Sequence, residues 1–458
     1  MNMMKNTFLS LALLALSASA DVPTYCNPMS LPGIPISRNT RNPKPGEADR
    51  LQHRELADPS LLAVGRTLYV YPSNDMAWKS TDGGATWRKI DIGVHDIGYA
   101  PTIVRHKNRY LLCAGIEIYA SASPEGPFKK IGYIPWPGGV PGPADMNLFS
   151  DGNRLFLYYG CSPKDGIWGV ELEGDNPCKM IGKPVQLIPF EPETQAWECK
   201  PHNVKESWIE GAWMVKINGR YCLTYSSSGT EHARYAMGAA WSDRPLGPFV
   251  KQRRNPFFRK TTGLVTGIGH GSVIPFGNEL LVSYCVYSGV LGGFERLIGF
   301  DRLRLDRNGE LAVQEATETP QYADGSGAAP WATAPFRSDH PEMTDSRLKT
   351  FARMDGPLPV MTVFTCDFSV VVRAYRLIWR DCGLKGRMGL DVGGYRYRIE
   401  YRDGETWKTL VDASRSSDDL FVDYRETPAV RTRELRLTVL SAPEGATPGV
   451  TEFTVFGE

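Results

Sequence analysis

The chain has 458 residues, 42% of them apolar, which is enough for two domains that each bury a core. Its 52 basic and 51 acidic residues nearly cancel, so the composition excludes the strong basic field that gathers nucleic acid or an anionic membrane surface. A neutral or weakly acidic substrate fits this charge, and we expect a monomer.

The first twenty residues are typical of an export signal. Lys5 precedes an apolar run from Phe8 to Leu16, and Ala18-Ser19-Ala20 offers a small-residue cleavage site. No later stretch approaches the roughly twenty apolar residues of a membrane span. We therefore expect residues 1–20 to be removed and the remainder to be soluble, either periplasmic or secreted.

The nine cysteines are an odd number, so at least one of them is unpaired in any compartment. Cys113, Cys222 and Cys285 lie within apolar, strand-like runs, where cysteine behaves as a small core residue. No CxxC pair occurs, so the sequence offers no support for a zinc or redox centre.

Short β-rich runs separated by Gly, Asn and Asp turns recur along the chain and predict an all-β fold. Five segments share one pattern, in which a polar or small residue leads a short apolar strand, a turn and a second strand that ends in aromatic residues. They begin at Ala57 (ADPSLL), Tyr99 (YAPTIV), Ala144 (ADMNLF), Ile209 (IEGAWM) and Gly269 (GHGSVI). Their spacing suits four-stranded units and predicts a five-bladed β-propeller.

The leading residues of the five repeats are expected to meet at one mouth of the propeller channel. They are Asp58, Ala100, Asp145, Glu210 and His270. Four of the five are ionisable, although a strand that enters a core usually starts with an apolar or turn-forming residue. The alternative, that the acids merely start strands as turn residues, accounts for one or two of them.

Three carboxylates and a histidine around one pocket could bind a hard cation or perform acid and base catalysis, and the two are compatible. Inverting hydrolysis of a glycosidic bond needs a protonated carboxylic acid at the leaving oxygen and a carboxylate that activates water on the opposite face. A third carboxylate beside the acid raises the pKa of the acid and keeps it protonated.

The segments ADPSLL, ADMNLFSDG, WIEGAWM, GIGHGS and FERLIGFDRLRLDRNGEL resemble those of glycoside hydrolase family 43, over about 300 residues and all five blades. The resemblance implies an inverting, exo-acting enzyme with Asp58 as general base, Asp145 as pKa modulator and Glu210 as general acid. This chain has Met146 and Ala212 where the family usually has proline. Both differences bear on the shape of loops.

The same resemblance implies two further site residues. His270 matches a histidine beneath the sugar site that often helps to hold a calcium ion through waters, and a lone histidine between glycines can equally be a structural hydrogen-bonding group. Arg296 matches an arginine that contacts the bound sugar, and its alternative is a surface salt bridge with Glu295.

Tryptophans are candidates for stacking on a sugar ring. Trp208 and Trp213 flank Glu210 on opposite faces of a strand, so at most one of them faces the pocket. Trp78 is expected on a loop after the strand Tyr69-Val70-Tyr71. Core packing is the alternative for Trp208 and Trp213, Trp78 is the better candidate for a sugar subsite, and we predict that Trp78 and Trp208 bind substrate.

Ser80 to Trp87 form a single Asp box, STDGGATW, of the kind repeated in sialidase propellers. One copy predicts a hairpin turn in which Asp82 accepts backbone N–H groups and Trp87 packs beneath. The arginine cluster and the Tyr/Glu pair of a sialidase are not evident in the sequence.

The tail changes pattern after a Pro-rich and small-residue stretch. We expect a propeller over 21–322, a linker over 323–337 and a smaller β-sandwich over 338–458. Alternating runs at 374–379, 395–401, 433–439 and 451–457 resemble a discoidin-like (factor V/VIII type C) domain.

The sequence leaves the sugar open. The family resemblance implies an α-L-arabinofuranosidase first, with β-xylosidase or exo-β-galactosidase as alternatives that share the same three acids. A different class of function, a glycan-binding protein without catalysis, is disfavoured because all three acids are present.

Overall fold

The computed structural model describes residues 22–36, 54–200, 203, 207–288, 295–384 and 391–458. The predicted export signal, residues 1–20, lies outside them. Within the described residues the chain consists of β-strands and two short 3₁₀ turns, Ala196–Glu198 and Pro341–Met343, which confirms the all-β prediction. This part of the chain contains no helix that is both long and apolar enough to cross a bilayer.

Five antiparallel sheets surround a channel, as predicted for a five-bladed propeller. In each blade the first strand in sequence lies innermost and hairpins lead outwards. Blade 1 contains β2 (Ser60–Val64), β3 (Thr67–Tyr71), β4 (Met76–Ser80) and β5 (Arg88–Asp91). Blade 2 contains β6 (Thr102–His106), β7 (Arg109–Ala114), β8 (Glu117–Ser121) and β9 (Lys129–Tyr133). Before blade 1, β1 (Thr24–Tyr25) pairs with β22 (Gln321–Tyr322).

The remaining blades are less regular. Blade 3 contains β10 (Asn147–Asp151), β11 (Arg154–Tyr159), β13 (Ile167–Leu172) and β14 (Met180–Ile188). Blade 4 contains β15 (Ile209–Ile217), β16 (Arg220–Ser227), β17 (Ala236–Ser242) and β18 (Val250–Lys251), and the short β12 (Cys161–Ser162) pairs with the free edge of β15. Blade 5 contains β19 (Gly269–Phe276), β20 (Glu279–Tyr287) and β21 (Arg296–Leu303).

A ring of side-chain hydrogen bonds joins the five innermost strands. At four of the five interfaces, a backbone N–H of one innermost strand donates to a side-chain oxygen of the preceding blade. The four bonds are Ile103 N–H to Ser60 Oγ (3.3 Å), Leu148 N–H to Thr102 Oγ1 (3.2 Å), Met214 N–H to Asn147 Oδ1 (2.8 Å) and Leu61 N–H to Ser272 Oγ (2.8 Å). At the fifth interface Trp213 Nε1–H donates to Val273 O (2.7 Å). The ring therefore fixes the blades against one another.

The Asp box forms the turn between β4 and β5. Asp82 Oδ1 accepts the Thr86 N–H at 3.0 Å, and Trp87 is buried beneath the turn with its indole N–H donating to Gly84 O. The motif thus has the structural role that a single copy predicts.

The C-terminal strands lie in one curled sheet. They are β23 (Ala332–Ala334), β24 (Ala352–Arg353), β25 (Val360–Cys382), β26 (Arg396–Asp403), β27 (Thr406–Asp412), β28 (Val422–Ser441) and β29 (Thr447–Gly457). Strand β23, inside the predicted linker 323–337, pairs with β29. The predicted strands are confirmed, whereas the discoidin-like type and the domain boundaries stay predictions.

One apolar core continues from the propeller into this sheet. Val282 and Leu297 of blade 5 belong to the same buried cluster as Ile378 and Phe453 of the C-terminal sheet. Burial of apolar surface across this seam therefore holds the sheet against blade 5.

The ring of bonds predicts the effect of removing one member. Asn147→Ala leaves the buried Met214 N–H without its acceptor, so the free energy of unfolding is expected to fall by about 1–3 kcal/mol. Denaturant unfolding measures this loss, and the matched control is Asn176→Ala at an exposed asparagine of blade 3. Equal stability of the two variants would contradict a closing role for Asn147.

Candidate active site

Each of the five innermost strands begins with the same backbone kink. The kink residue has a positive φ in all five blades: Asp58 (52°), Ala100 (49°), Asp145 (50°), Gly211 (62°) and His270 (44°). Four of these residues are not glycine, so each holds a left-handed conformation that costs on the order of 1 kcal/mol or more. Conformations of this kind persist where the surrounding structure enforces them, and here they lie around one mouth of the channel.

The kink corrects one expectation about the repeats. The repeat pattern predicts that Glu210 is equivalent to Asp58 and Asp145. In the structure the equivalent residue is Gly211, and Glu210 precedes it by one position. A β-bulge contains the kink in blade 4, between Glu210 and Trp213, and an equivalent bulge contains it in blade 5, between Gly269 and Ser272. The Glu210 side chain therefore reaches the cluster from a neighbouring backbone position.

The expected convergence of the acids and His270 is present in the structure. His270 Nδ1 lies 3.1 Å from Asp58 Oδ1 and 3.6 Å from Asp145 Oδ2. Carboxylate oxygens of Asp145 and Glu210 lie within 4.8 Å of each other and of Cys161 Sγ. Asp58 and Glu210 are only 5% and 7% exposed, so their charges are poorly screened by water.

Asp58 is surrounded by groups that favour its charged form. Arg296 Nη1–H donates to its Oδ1 (2.9 Å) and Ser73 Oγ–H donates to its Oδ2 (2.6 Å). Burial opposes ionisation, but Arg296, His270 and Ser73 outweigh it and hold the pKa of Asp58 below its ordinary value. Asp58 is thus an ionised carboxylate near neutral pH.

Glu210 has the opposite environment. Burial and the neighbouring Asp145 raise its pKa to about 7, although His270, Tyr235 and Cys161 act in the other direction. Tyr235 O–H donates to Glu210 Oε1 at 2.6 Å, and Cys161 S–H donates to Oε2 at 3.3 Å. Glu210 is therefore a carboxyl group that carries its proton in weakly acidic solution.

Asp145 and His270 lie between Asp58 and Glu210. Burial, with the Asp58 charge, raises the pKa of Asp145, and Gly211 N–H donates to its Oδ2 at 3.3 Å. For His270, burial favours the neutral ring, but the three carboxylates outweigh it and raise its pKa. A protonated His270 partly compensates the buried negative charge.

The structure places the remaining predicted residues in different surroundings. Arg296 is 5% exposed and binds Asp58, so the alternative of a surface salt bridge with Glu295 is wrong. Trp208 lies two residues before Glu210 and lines a recess of about 490 Å³ together with Pro163, Lys164, Asp165, Lys200 and Ser207. Trp213 is buried in the ring of interblade bonds.

Trp78 corrects the expectation of a sugar-binding loop. It lies in strand β4, is fully buried in the main core, and donates its indole N–H to Pro32 O at 2.7 Å. A fully buried ring cannot stack on a bound sugar. The apolar pattern of β4 directs Trp78 into the core, and the predicted loop at this position is wrong.

Several residues of the site were not expected from the sequence. Cys161, on the added strand β12, touches Glu210, and Cys285 accepts the Asp58 N–H at 3.1 Å. Tyr235 and Ser73 lie outside the repeat leads, and Glu55 binds Arg296 at 3.1 Å. Only Glu55 lies close enough to a lead residue for its position in the sequence to have indicated it.

Whether a calcium ion fits this site depends on the number of oxygen ligands, because calcium binds six to eight oxygen atoms. The described residues near His270 supply the carboxylates of Asp58 and Asp145, and the channel wall below is mainly apolar, including Ile103, Leu148 and Val273. Waters would have to complete the set, so calcium stays a prediction and enters no step below.

Comparison with known proteins assigns this site to a family. The family model "Glycosyl hydrolases family 43" matches residues 55–309, more than half of the chain. The chain belongs to glycosyl hydrolase family 43. The matched residues include all five kinks and all three acids.

Curated relatives of this family 43 chain carry several activities in their names. It is 26% identical over 203 residues to "Beta-D-galactofuranosidase xynD" of Aspergillus niger, covering 43% of this chain and 54% of that protein. It is 24% identical over 263 residues to "Beta-xylosidase" of Xylanibacter ruminicola and over 265 residues to "Xylosidase/arabinosidase" of Bacteroides ovatus, covering 78% and 77% of those proteins. The chain thus spans about half the length of the first relative.

Solved structures agree on the fold. A "thermostable family-43 glycoside hydrolase" aligns with a TM-score of 0.52 and 24% identity over 67% of this chain and 99% of that one. A structure titled "Glycoside hydrolase" aligns with a TM-score of 0.51 and 18% identity over 87% of this chain and 97% of that one. The second alignment extends beyond the propeller into the C-terminal part.

The pKa shifts of Glu210 and Asp58 predict a pH profile if these residues have the roles expected from the sequence. With Glu210 as the expected acid, kcat/KM should fall on the alkaline side with a midpoint near pH 7, because Glu210 loses its proton there. With Asp58 as the expected base, kcat/KM should fall on the acidic side only below about pH 4, because the base must be ionised. A dinitrophenyl glycoside, whose leaving group needs little protonation, should lose most of the alkaline fall. An alkaline midpoint below pH 5 would contradict the assignment of Glu210.

The thiol of Cys161 predicts a smaller shift. Cys161→Ala removes a hydrogen bond that lowers the pKa of Glu210, so the alkaline midpoint should move up by roughly half a pH unit. Cys161→Ser keeps a donor and should leave the midpoint near that of the wild type. Identical profiles for the alanine variant and the wild type would show that the thiol does not act on Glu210.

Proposed function

We propose that the protein is an exported, exo-acting, inverting glycosidase that removes α-L-arabinofuranosyl groups from the ends or side chains of plant cell-wall-type polysaccharide. The observation that carries this proposal is the opposite pKa shift of two buried acids in one pocket, with Asp58 held ionised and Glu210 held protonated. Inverting hydrolysis needs this combination of base and acid.

The roles of the residues follow from their protonation states. Glu210 gives its proton to the glycosidic oxygen as the bond to the anomeric carbon breaks. Asp58 takes a proton from a water that attacks the anomeric carbon from the opposite face, and the product therefore has inverted configuration. Asp145, within 4.8 Å of Glu210, raises the pKa of the acid by like-charge repulsion.

A furanosyl sugar is supported by the relatives. The β-D-galactofuranosyl ring has the ring configuration of an α-L-arabinofuranosyl ring and differs in its exocyclic carbon, so a galactofuranosidase and an arabinosidase among the relatives point to one ring shape. Trp208, two residues before Glu210 in the chain and in a recess of its own, is our candidate for contact with the leaving group, whose oxygen the acid protonates.

A β-xylosyl end group is the second candidate. Two relatives carry xylosidase in their names, and the three acids serve either sugar. An exo-β-galactosidase shares the same acids. A glycan-binding protein without catalysis has no need of two buried acids with opposed pKa shifts, which makes it the weaker explanation of the site.

The surroundings of the reaction follow from the sequence. Export rests on residues 1–20, and the near-zero net charge suits a neutral polysaccharide. We retain a monomer as the proposed state and a water-bound calcium ion beneath His270 as an optional, site-shaping ion.

A panel of aryl glycosides tests the proposal. Wild type should release arabinose from an aryl α-L-arabinofuranoside faster than xylose or galactose from the matching glycosides, and proton NMR of the first product should show the inverted anomer. Glu210→Gln should lower kcat roughly 100- to 10,000-fold on a substrate with a poor leaving group. The matched control is Glu193→Gln at an exposed glutamate.

Two results would overturn the proposal. Equal rates for wild type and Glu210→Gln would remove the acid from its role. A first product of retained configuration would exclude the direct attack of water that Asp58 is proposed to assist.

A further inference from the structure

Two backbone segments run side by side behind the proposed base. The segment 54–58 leads into blade 1, and residues 295–296 open strand β21 of blade 5. Leu56 N–H donates to Arg296 O at 3.0 Å, which joins the two segments directly. In extended chains successive side chains point to opposite sides. Each segment therefore directs one residue to the active site and its neighbour away from it.

The residues directed inwards hold Asp58. Arg296 Nη1–H donates to Asp58 Oδ1 (2.9 Å), and Arg296 Nε–H donates to Glu55 Oε1 (3.1 Å). All three side chains are at most 6% exposed. The position of the Asp58 carboxylate thus depends on where Arg296 and Glu55 lie.

The residues directed outwards are held by the C-terminal sheet domain. Arg54 Nε–H donates to Asp381 Oδ2 (2.7 Å), its Nη2–H donates to Gly393 O (2.7 Å), and it also pairs with Asp419. Glu295 forms a short ion pair with Arg380. Two of these partners, Arg380 and Asp381, are consecutive residues of strand β25.

The seam around these ion pairs is tightly packed. The cavity that remains between Arg54, Glu295, Arg296 and Arg380 has a volume of about 10 Å³, no more than a single water requires. Buried ion pairs of this kind hold a fixed geometry, because loss of one partner leaves a charge without compensation. These buried ion pairs therefore tie the segments that carry Glu55 and Arg296 to the C-terminal sheet.

We propose that the C-terminal sheet domain positions the general base, with Arg380 and Asp381 acting as positioning residues through Glu295 and Arg54. The inference rests on the proposed function, because it assigns Asp58 the role of base. The domain is thus part of the catalytic apparatus of this chain, in addition to any contact it makes with polysaccharide.

The double variant Glu295→Gln/Arg380→Met tests the proposal. It removes both charges of one pair, keeps similar volume, and leaves the methionine to pack where the Arg380 guanidinium lies 5.2 Å from the Phe351 ring. Asp58 keeps Ser73, His270 and Cys285 as neighbours. The matched control is Glu400→Gln/Arg436→Met, a pair at 2.8 Å between β26 and β28 of the same domain.

The expected result is a loss in turnover without a loss of the fold. The kcat of the seam variant should fall about tenfold or more, since displacement of a catalytic group by about 1 Å can cost roughly 100-fold, and KM should change less than threefold. The loss should be equal for good and poor leaving groups, because the attacking water needs the base in both cases. The control variant should retain the kcat of the wild type and a comparable melting temperature.

Hydrogen exchange supplies a readout that needs no activity. Exchange of the amides in 54–60 should be faster in the seam variant than in the wild type or the control, because the Leu56 N–H bond to Arg296 O loses its support. Unchanged kcat and unchanged exchange in a folded seam variant would overturn the inference. A wild type that hydrolyses no glycoside would overturn the proposed function instead, and the exchange result would still decide whether the domain holds this segment.

Discussion

The ring of bonds between the innermost strands is the constraint on which the rest of the molecule depends. Ser60, Thr102, Asn147, Trp213 and Ser272 each bind the backbone of the next blade, so the five kinks that begin these strands have fixed relative positions. Without this closure, three carboxylates that repel one another and lose their hydration would separate. The propeller holds them together because its own backbone bonds depend on the same arrangement.

Within the closed ring, Asp58 and Glu210 have different neighbours, and these neighbours shift their pKa values in opposite directions. The cationic Arg296 donates a hydrogen bond to Asp58. Glu210 instead lies near Asp145 and accepts hydrogen bonds from two neutral donors, Tyr235 and Cys161. Burial raises the pKa of any carboxyl group, and only Asp58 has cationic neighbours that outweigh it. Two chemically similar side chains in one pocket therefore hold opposite protonation states, which is what acid and base catalysis requires. Ion pairs continue from Arg296 to the seam with the C-terminal sheet, where Glu295 pairs with Arg380.

Sequence reasoning succeeded where the signal was local and periodic. The repeat of a polar lead followed by an apolar strand predicted the blades and brought Asp58, Asp145, Glu210 and His270 together. It was wrong about Trp78, because a tryptophan before a polar turn can lie in a strand or a loop. It also placed Glu210 in register with the other leads, because residue type drew the alignment to the acid, whereas the equivalent backbone position is Gly211.

By itself, the sequence determined the number of blades and which acids converge, because these depend on repeats and residue types, and the export signal stays a prediction from a short motif. Only the tertiary structure decided which groups surround each acid. Cys161 contacts Glu210 because strand β12 pairs with β15 of the next blade. Arg380 pairs with Glu295, the residue before Arg296, across the seam between the domains. Such contacts join residues that are far apart in the chain, and electrostatic effects on pKa depend on these distances rather than on order in the sequence.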